Sequence, residues 1–142
     1  MTSPYNVGVG VAAFICHDGK ILVQQRTGAH GAKTWAPPGG KLDYGETPEK
    51  GVAREVKEET DLDICDICYL GYTNDIFATD KLHYITLWYA ANTKSADAKI
   101  TEPHKCIAQK WCKLNEIPSP LFLPTENILK DSGAVSLLKK YL

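Results

Sequence analysis

The sequence predicts a mixed α/β (α+β) domain, a mixed β-sheet sandwiched between helices. Three features predict it: a strand–turn–strand pattern opens the chain, one well-capped amphipathic helix sits near the middle, and further strand patterns follow that helix before a helical tail. The chain has 142 residues, one ordinary domain spanning 1–142. That length buries roughly two-thirds of the unfolded surface and so supports a real core.

The elements follow in order. Residues 6–15 are rich in Val, Ala, Phe and Ile and read as a strand, weakened at Gly8 and Gly10. Asp18-Gly19 is a hairpin turn signal, and residues 21–25 are the return strand. Residues 27–33 form a glycine-containing loop. Trp35-Ala36-Pro37-Pro38-Gly39-Gly40 cannot be a helix, because Pro and Gly punctuate it. The helix is expected over residues 48–60, with Thr47 as N-cap, Pro48 at the first helical position and Glu49 at the positive end of the dipole. Val52, Ala53 and Val56 give it an apolar stripe. Residues 63–73, 82–91 and 107–114 read as strands, with a polar loop over 91–103. Residues 125–142 read as a helical tail interrupted near Ser132-Gly133.

Composition excludes several function classes. Sixteen Lys and Arg against seventeen Asp and Glu leave a net charge of -1, so no global basic field recruits a long nucleic acid. No apolar run spans a bilayer. The start, Met1 to Tyr5, is short and polar without the apolar region of a signal peptide, which predicts a cytoplasmic protein. The five cysteines, Cys16, Cys65, Cys68, Cys106 and Cys112, are odd in number and read as thiols in a reducing compartment. Cys65 and Cys68 lie i, i+3 on an expected strand, where they face opposite sides, so a zinc site with Cys106 and Cys112 is disfavoured.

The chemistry is concentrated on the central helix. Glu55, Glu58 and Glu59 sit at i, i+3 and i+4 and share one helical face. Like charges at this spacing repel by a few tenths of a kcal/mol per exposed pair, and by more when partly buried. Many acidic helix faces are simply solvated. Here the acids border an apolar stripe, which sets them at the edge of the packed face. A hard cation such as Mg²⁺, which takes carboxylates, water and phosphate oxygens, removes the conflict. Gly39-Gly40 leaves room for a backbone carbonyl ligand or for close approach of a phosphate.

Gly40, five residues, Glu46, seven residues, then Arg54-Glu55-Val56-Lys57-Glu58-Glu59-Thr60-Asp61-Leu62 resembles the Nudix box. Every fixed position of the pattern matches except Asp61, where the family has glycine. Asp tolerates a left-handed C-cap better than most residues, so the expected cost is modest. Looser resemblance runs through Gln24-Gln25-Arg26, residues 35–39 and Trp111.

The resemblance implies a mixed sheet between helices, with the box as loop–helix–loop. It implies metal ligands at Glu55, Glu58, Glu59 and the Gly39 carbonyl, with Mg²⁺ as cofactor and Mn²⁺ as substitute. Glu46 and Arg54 are expected to support the loop and orient the carboxylates. Water is expected to attack a phosphorus of a diphosphate bridge, with Glu58, Glu59 or Glu102 as proton acceptor and Glu116 as a weaker alternative. The family members it looks most like are small nucleoside triphosphate pyrophosphohydrolases, some acting on oxidised or modified nucleotides. They release a nucleoside monophosphate and pyrophosphate. Gln24, Arg26, His30 and Thr34 are candidate polar contacts to the nucleotide, and Leu42, Phe77, Tyr84 and Trp88 candidate walls. Trp35, Trp111 and Cys16 read as packing. Small family members pair as homodimers, which is expected here too. Two rival readings stay open. One is hydrolysis of another diphosphate, such as a nucleotide sugar, dinucleoside polyphosphate or capped RNA end; the marker proline that ADP-ribose-type members carry after the box does not occur between Asp61 and Glu102, which counts against the sugar. The other is a non-catalytic nucleotide sensor.

Overall fold

The computed structural model describes residues 5–28 and 30–142. The expectation for residues 1–4, and Ala29 of the early loop, lie outside them. Strand β1 (Val7–His17) and strand β2 (Lys20–Arg26) form the expected hairpin. Asp18 and Gly19 both take positive φ, 49° and 75°, as a two-residue primed turn requires.

The hairpin opens after two residue pairs, Cys16 with Ile21 and His17 with Lys20. The far edge of β1 is taken by the parallel strand β6 (Leu82–Thr93), paired from Val7–His83 to Cys16–Asn92. The far edge of β2 is taken by the antiparallel strand β7 (Cys106–Cys112). In the gap between the diverging strands lie β3 (Trp35–Ala36), paired with β2, and β4 (Gly39–Lys41), paired with β1. The residues at 35–40 that cannot be helical thus form two very short strands at the fork. Strand β5 (Ile64–Phe77) closes the other end of the sheet as the partner of β6.

Both faces of the sheet are covered, which is why β1 reads as a continuous apolar run. Alternate residues point to opposite faces. Val11, Ala13 and Ile15 join Leu22, Tyr89, Val52 and Val56 beneath helix α1 (Pro48–Thr60). Ala12, Phe14 and Cys16 join Trp88, Val23, Ile128 and Leu138 beneath helices α2 (Leu123–Leu129) and α3 (Ser132–Lys139). Full burial of Val52 and Val56 is worth about 1.5–3 kcal/mol each. The helix–sheet–helix layering agrees with the expected class.

Some bounds differ. Strand β5 runs four residues beyond residue 73, carrying bulges between Cys65 and Cys68 and between Tyr69 and Gly71. The helical tail is two short helices: Asp131 accepts the Ala134 N–H and caps α3, so the break falls at Lys130–Asp131, before Ser132-Gly133. Residues 114–116 form a 3-10 turn after β7. Gly8, a weak point in a strand, makes room: an added Cβ would lie 2.5 Å from the Tyr84 ring.

Candidate active site

Helix α1 begins where Thr47 accepts the Lys50 N–H and ends where Asp61 takes φ 62°, with its N–H on the Lys57 carbonyl. The Asp61 carboxylate lies 3.3 Å from Lys57 and 3.5 Å from Lys99. These cations hold its carboxyl below its ordinary value, the Lys57 hydrogen bond first. An aspartate at the expected glycine position therefore caps this helix with its own local partners.

Arg54 organises the loop before the helix. Its Nε and a terminal nitrogen donate to the two oxygens of Glu46 at 3.0 and 2.8 Å, a fork that fixes both groups. The same guanidinium donates to the Lys41 carbonyl at 3.0 Å and to Glu55 at 2.9 Å. Glu58 and Asp43 lie at 3.3 Å. Glu46 also accepts the Asp43 N–H at 2.7 Å. The Arg54 hydrogen bonds hold the Glu46 carboxyl down to about 2, and its own value rises in return. Two glycines admit this packing. A Cβ on Gly51 would meet Leu42 at 2.8 Å and Glu46 at 2.9 Å, and one on Gly40 would meet Glu55 at 2.3 Å.

The three box glutamates differ in setting. Glu58 is exposed, Glu55 is largely covered, and Glu59 is partly buried with the Gly39 N–H on its Oε2 at 3.3 Å. Burial pushes the Glu59 carboxyl up to about 8; the Glu55 and Glu102 charges add to this, while the Gly39 N–H and Arg26 oppose it. Burial also raises Glu55, against Arg54.

Glu102 reaches the same place through backbone capping. The last carbonyls of a helix lack internal partners. Here Lys99 N–H donates to the Thr60 carbonyl at 2.9 Å, Thr101 N–H to the Glu59 carbonyl at 3.3 Å, and the Thr101 hydroxyl to the Glu58 carbonyl. The strap at 99–101 thus runs along the end of α1 and delivers Glu102 beside Glu59, 3.5 Å from the Lys105 ammonium. Glu116, in the 3-10 turn, does not join this group.

Two adjacent recesses result. The small one, about 40 Å³, is lined by Glu59, Glu102, Lys105, Gln24 and Cys106. The large one, about 240 Å³, is walled by Phe77, Tyr84, Trp88 and Phe122. Arg26, Ala36, Pro37 and Gly39 line both. Arg26 lies 3.9 Å over the Phe122 ring, its Nε buried with no hydrogen-bond partner among the described residues. Burial lowers its value against the charge of Glu59. His30 lines the large recess edge-on to Phe77 at 4.2 Å, its Nδ1 2.9 Å from Asp80. The buried Gln24 Nε2 also has no partner among the described residues.

Two of the residues expected at the site lie elsewhere. Leu42 packs with the core beneath α1, where Gly51 leaves it room. Thr34 donates to the Gly31 carbonyl at 2.6 Å and holds its loop. The sequence reading missed Phe122, Pro124 and Lys105. Leu121-Phe122-Leu123-Pro124 held the only signal, an apolar residue just before a helix start marked by a proline.

Among the described residues no three His, Cys, Asp or Glu groups converge closely enough to cage a cation alone. Mg²⁺ does not need such a cage: it keeps several waters and takes one or two carboxylates with substrate phosphates. Hard oxygen donors and raised carboxyls that a cation would relieve fit that ion. The five cysteines are free thiols. Among the described residues no helix is long and apolar enough to cross a membrane.

The NUDIX domain model matches residues 4–131. An ADP-ribose pyrophosphatase of Methanocaldococcus jannaschii is 31% identical over 123 residues, 87% of this chain and 71% of that protein. An 8-oxo-dGTP diphosphatase of Escherichia coli is 36% identical over 76 residues, 49% of this chain and 51% of that protein. The crystal structure of a MutT NUDIX hydrolase from Burkholderia pseudomallei superposes with a TM-score of 0.83 at 32% identity, covering 89% of this chain and 98% of that one. Against three further curated relatives the match covers only 30% to 37% of the relative's length.

Proposed function

Because the chain belongs to the Nudix hydrolase family, we propose that it cleaves a nucleoside triphosphate, oxidised or otherwise modified, to the monophosphate and pyrophosphate. One observation carries this reading. An aromatic recess and an acidic recess share Arg26, Ala36, Pro37 and Gly39 in their walls, which sets a place for a base next to a place for its phosphates. The relative that acts on 8-oxo-dGTP supports the triphosphate.

Glu55, Glu58, Glu59 and the Gly39 carbonyl are the groups that would hold Mg²⁺, with Mn²⁺ as substitute. When bound, the ion neutralises phosphate oxygens and makes water more acidic. Arg54 and Glu46 keep the carboxylate face in register. Arg26 draws the phosphate chain toward that face. Water forms its bond to phosphorus, the bridging P–O bond breaks, and pyrophosphate leaves with the electron pair. Glu102, which stands beside the ligand set without belonging to it, accepts the water proton.

The test is product release from a panel of ordinary, 8-oxo and methylated triphosphates, ADP-ribose and a dinucleoside polyphosphate, with Mg²⁺ and with EDTA. Pyrophosphate from a triphosphate, lost in EDTA, supports the reading. The similarity to the ADP-ribose pyrophosphatase over most of the chain favours a second reading, hydrolysis of a nucleoside diphosphate sugar. Release of AMP from ADP-ribose alone would select it. Tight binding without turnover would select the sensor.

We also propose a homodimer in a reducing, cytoplasmic setting. Five free thiols support the compartment. On the sheet face beyond α1, Val7 (55% exposed), Val9 (39%), Tyr72 (61%) and Ile76 (57%) flank the His83, Ile85 and Leu87 positions of β6 and leave apolar surface to cover. Light scattering at twice the chain mass is the expected result.

A further inference from the structure

Asp75 is a fully buried acid that the hydrolytic chemistry does not use. It lies on β5 behind the aromatic recess, and among the described residues no basic group pairs with it. Burying such a group is costly unless hydrogen bonds satisfy it. Three donors do so: Thr73 Oγ1 at 2.9 Å and Thr86 Oγ1 at 2.7 Å on one oxygen, and Asn127 Nδ2 at 2.9 Å on the other.

This network fixes hydrogen directions at the floor of the recess. An indole nitrogen only donates. Trp88 Nε1 donates to Thr73 Oγ1 at 3.0 Å, so Thr73 gives its single hydrogen to Asp75. Thr86 also spends its single hydrogen on Asp75. Of these groups, Thr86 and Trp88 line the recess. The indole N–H is already used, so what remains on this floor is a lone pair of Thr86 Oγ1. Space is left for a ligand there, because Gly10 lacks a side chain: a Cβ at Gly10 would lie 3.4 Å from that oxygen.

We propose that Thr86 is a specificity-determining residue, an oriented acceptor that reads an exocyclic amino group on the nucleobase, and that Asp75 is the positioning residue that sets its polarity. The preferred ligand is then the amino member of an amino/oxo pair: cytosine over uracil, adenine over hypoxanthine. This rests on the recess being the base site of the proposed function, but it concerns binding and does not need turnover. A lost acceptor contact to a buried group costs about a factor of ten in affinity.

Calorimetric titration of the metal-free protein with dCMP and dUMP, and with AMP and IMP, reads the preference directly. The expected result is roughly tenfold tighter binding of the amino member in at least one pair. Asp75→Asn supplies the decisive variant. Its amide nitrogen donates to Thr73 and Thr86 while its oxygen still accepts from Asn127, so the bond count is kept and both hydroxyl hydrogens are released. The expected result is a preference that disappears or turns toward the oxo base. Thr86→Val, which leaves Asp75 and Asn127 in place, should lose discrimination without reversing it. Equal binding of both members of each pair, tighter binding of the oxo base by the native protein, or no binding of either overturns the proposal. Discrimination retained without hydrolysis of any triphosphate would leave it standing and remove the triphosphate reading instead.

Discussion

Glu59 carries the clearest consequence at the scale of single residues. An unfolded glutamate loses its proton near 4.5, whereas burial holds the folded one to about 8. Between those values the folded protein binds the extra proton, so this group's contribution makes stability fall as pH rises, and above about 8 the penalty is constant. Glu59→Gln should therefore raise the melting temperature of the metal-free protein at pH 8, by roughly 3 °C per kcal/mol relieved, and leave it nearly unchanged at pH 4. Adding Mg²⁺ at pH 8 should raise the native melting temperature and not that of the variant. Arg54 gives a second prediction. Lysine cannot reproduce the fork onto Glu46. Arg54→Lys should lower kcat by about 10–100-fold while the circular dichroism spectrum stays native. The clustering of Glu55 and Glu58 around Arg54 was legible because spacing on one helix is a local property. Phe122 was not, because it reaches the ring of Phe77 and the guanidinium of Arg26 from the far end of the chain.

At the scale of elements, α1 was legible to the residue because its stop signals are chemical: a Thr cap, a leading proline and a residue able to take positive φ. Strands β3 and β4, two and three residues long, carry no periodicity to read, and they arise from the divergence of β1 and β2. Strand β5 outran its expected end because Thr73 and Asp75 point into the core as buried polar residues, which hides the usual apolar alternation. Gly51 tests how the loop sits on the helix. Alanine is the better helix former by about 1 kcal/mol. Yet a Cβ there would press on Leu42 and on the Glu46 oxygen that Arg54 holds. Gly51→Ala should thus lower both the melting temperature and kcat, with helix content preserved. A rise in stability at full activity would show that the loop is not packed this way.

For the whole molecule, the fork in the sheet is what makes a site. Where β1 and β2 part, glycines and prolines at 37–40 fill the gap, and both recesses open on those residues. Pairing β1 with β6 brings Thr86 and Trp88 to the aromatic floor, and capping α1 with the strap at 99–101 brings Glu102 to the acidic end. The layering of the fold could be read from element order, while the adjacency of the recesses depends on contacts between residues far apart in sequence.

The division of labour between the recesses is the central claim, and steady-state kinetics of two variants on one triphosphate tests it most directly. Glu59→Gln should lower kcat by about 10²–10⁴-fold with KM changed little, because it removes a group of the acidic end. Phe122→Ala should raise KM about tenfold or more with kcat changed little, because it removes a stacking surface worth roughly 1–3 kcal/mol. The opposite partition, with Glu59→Gln acting on KM alone and Phe122→Ala on kcat alone, would contradict the account.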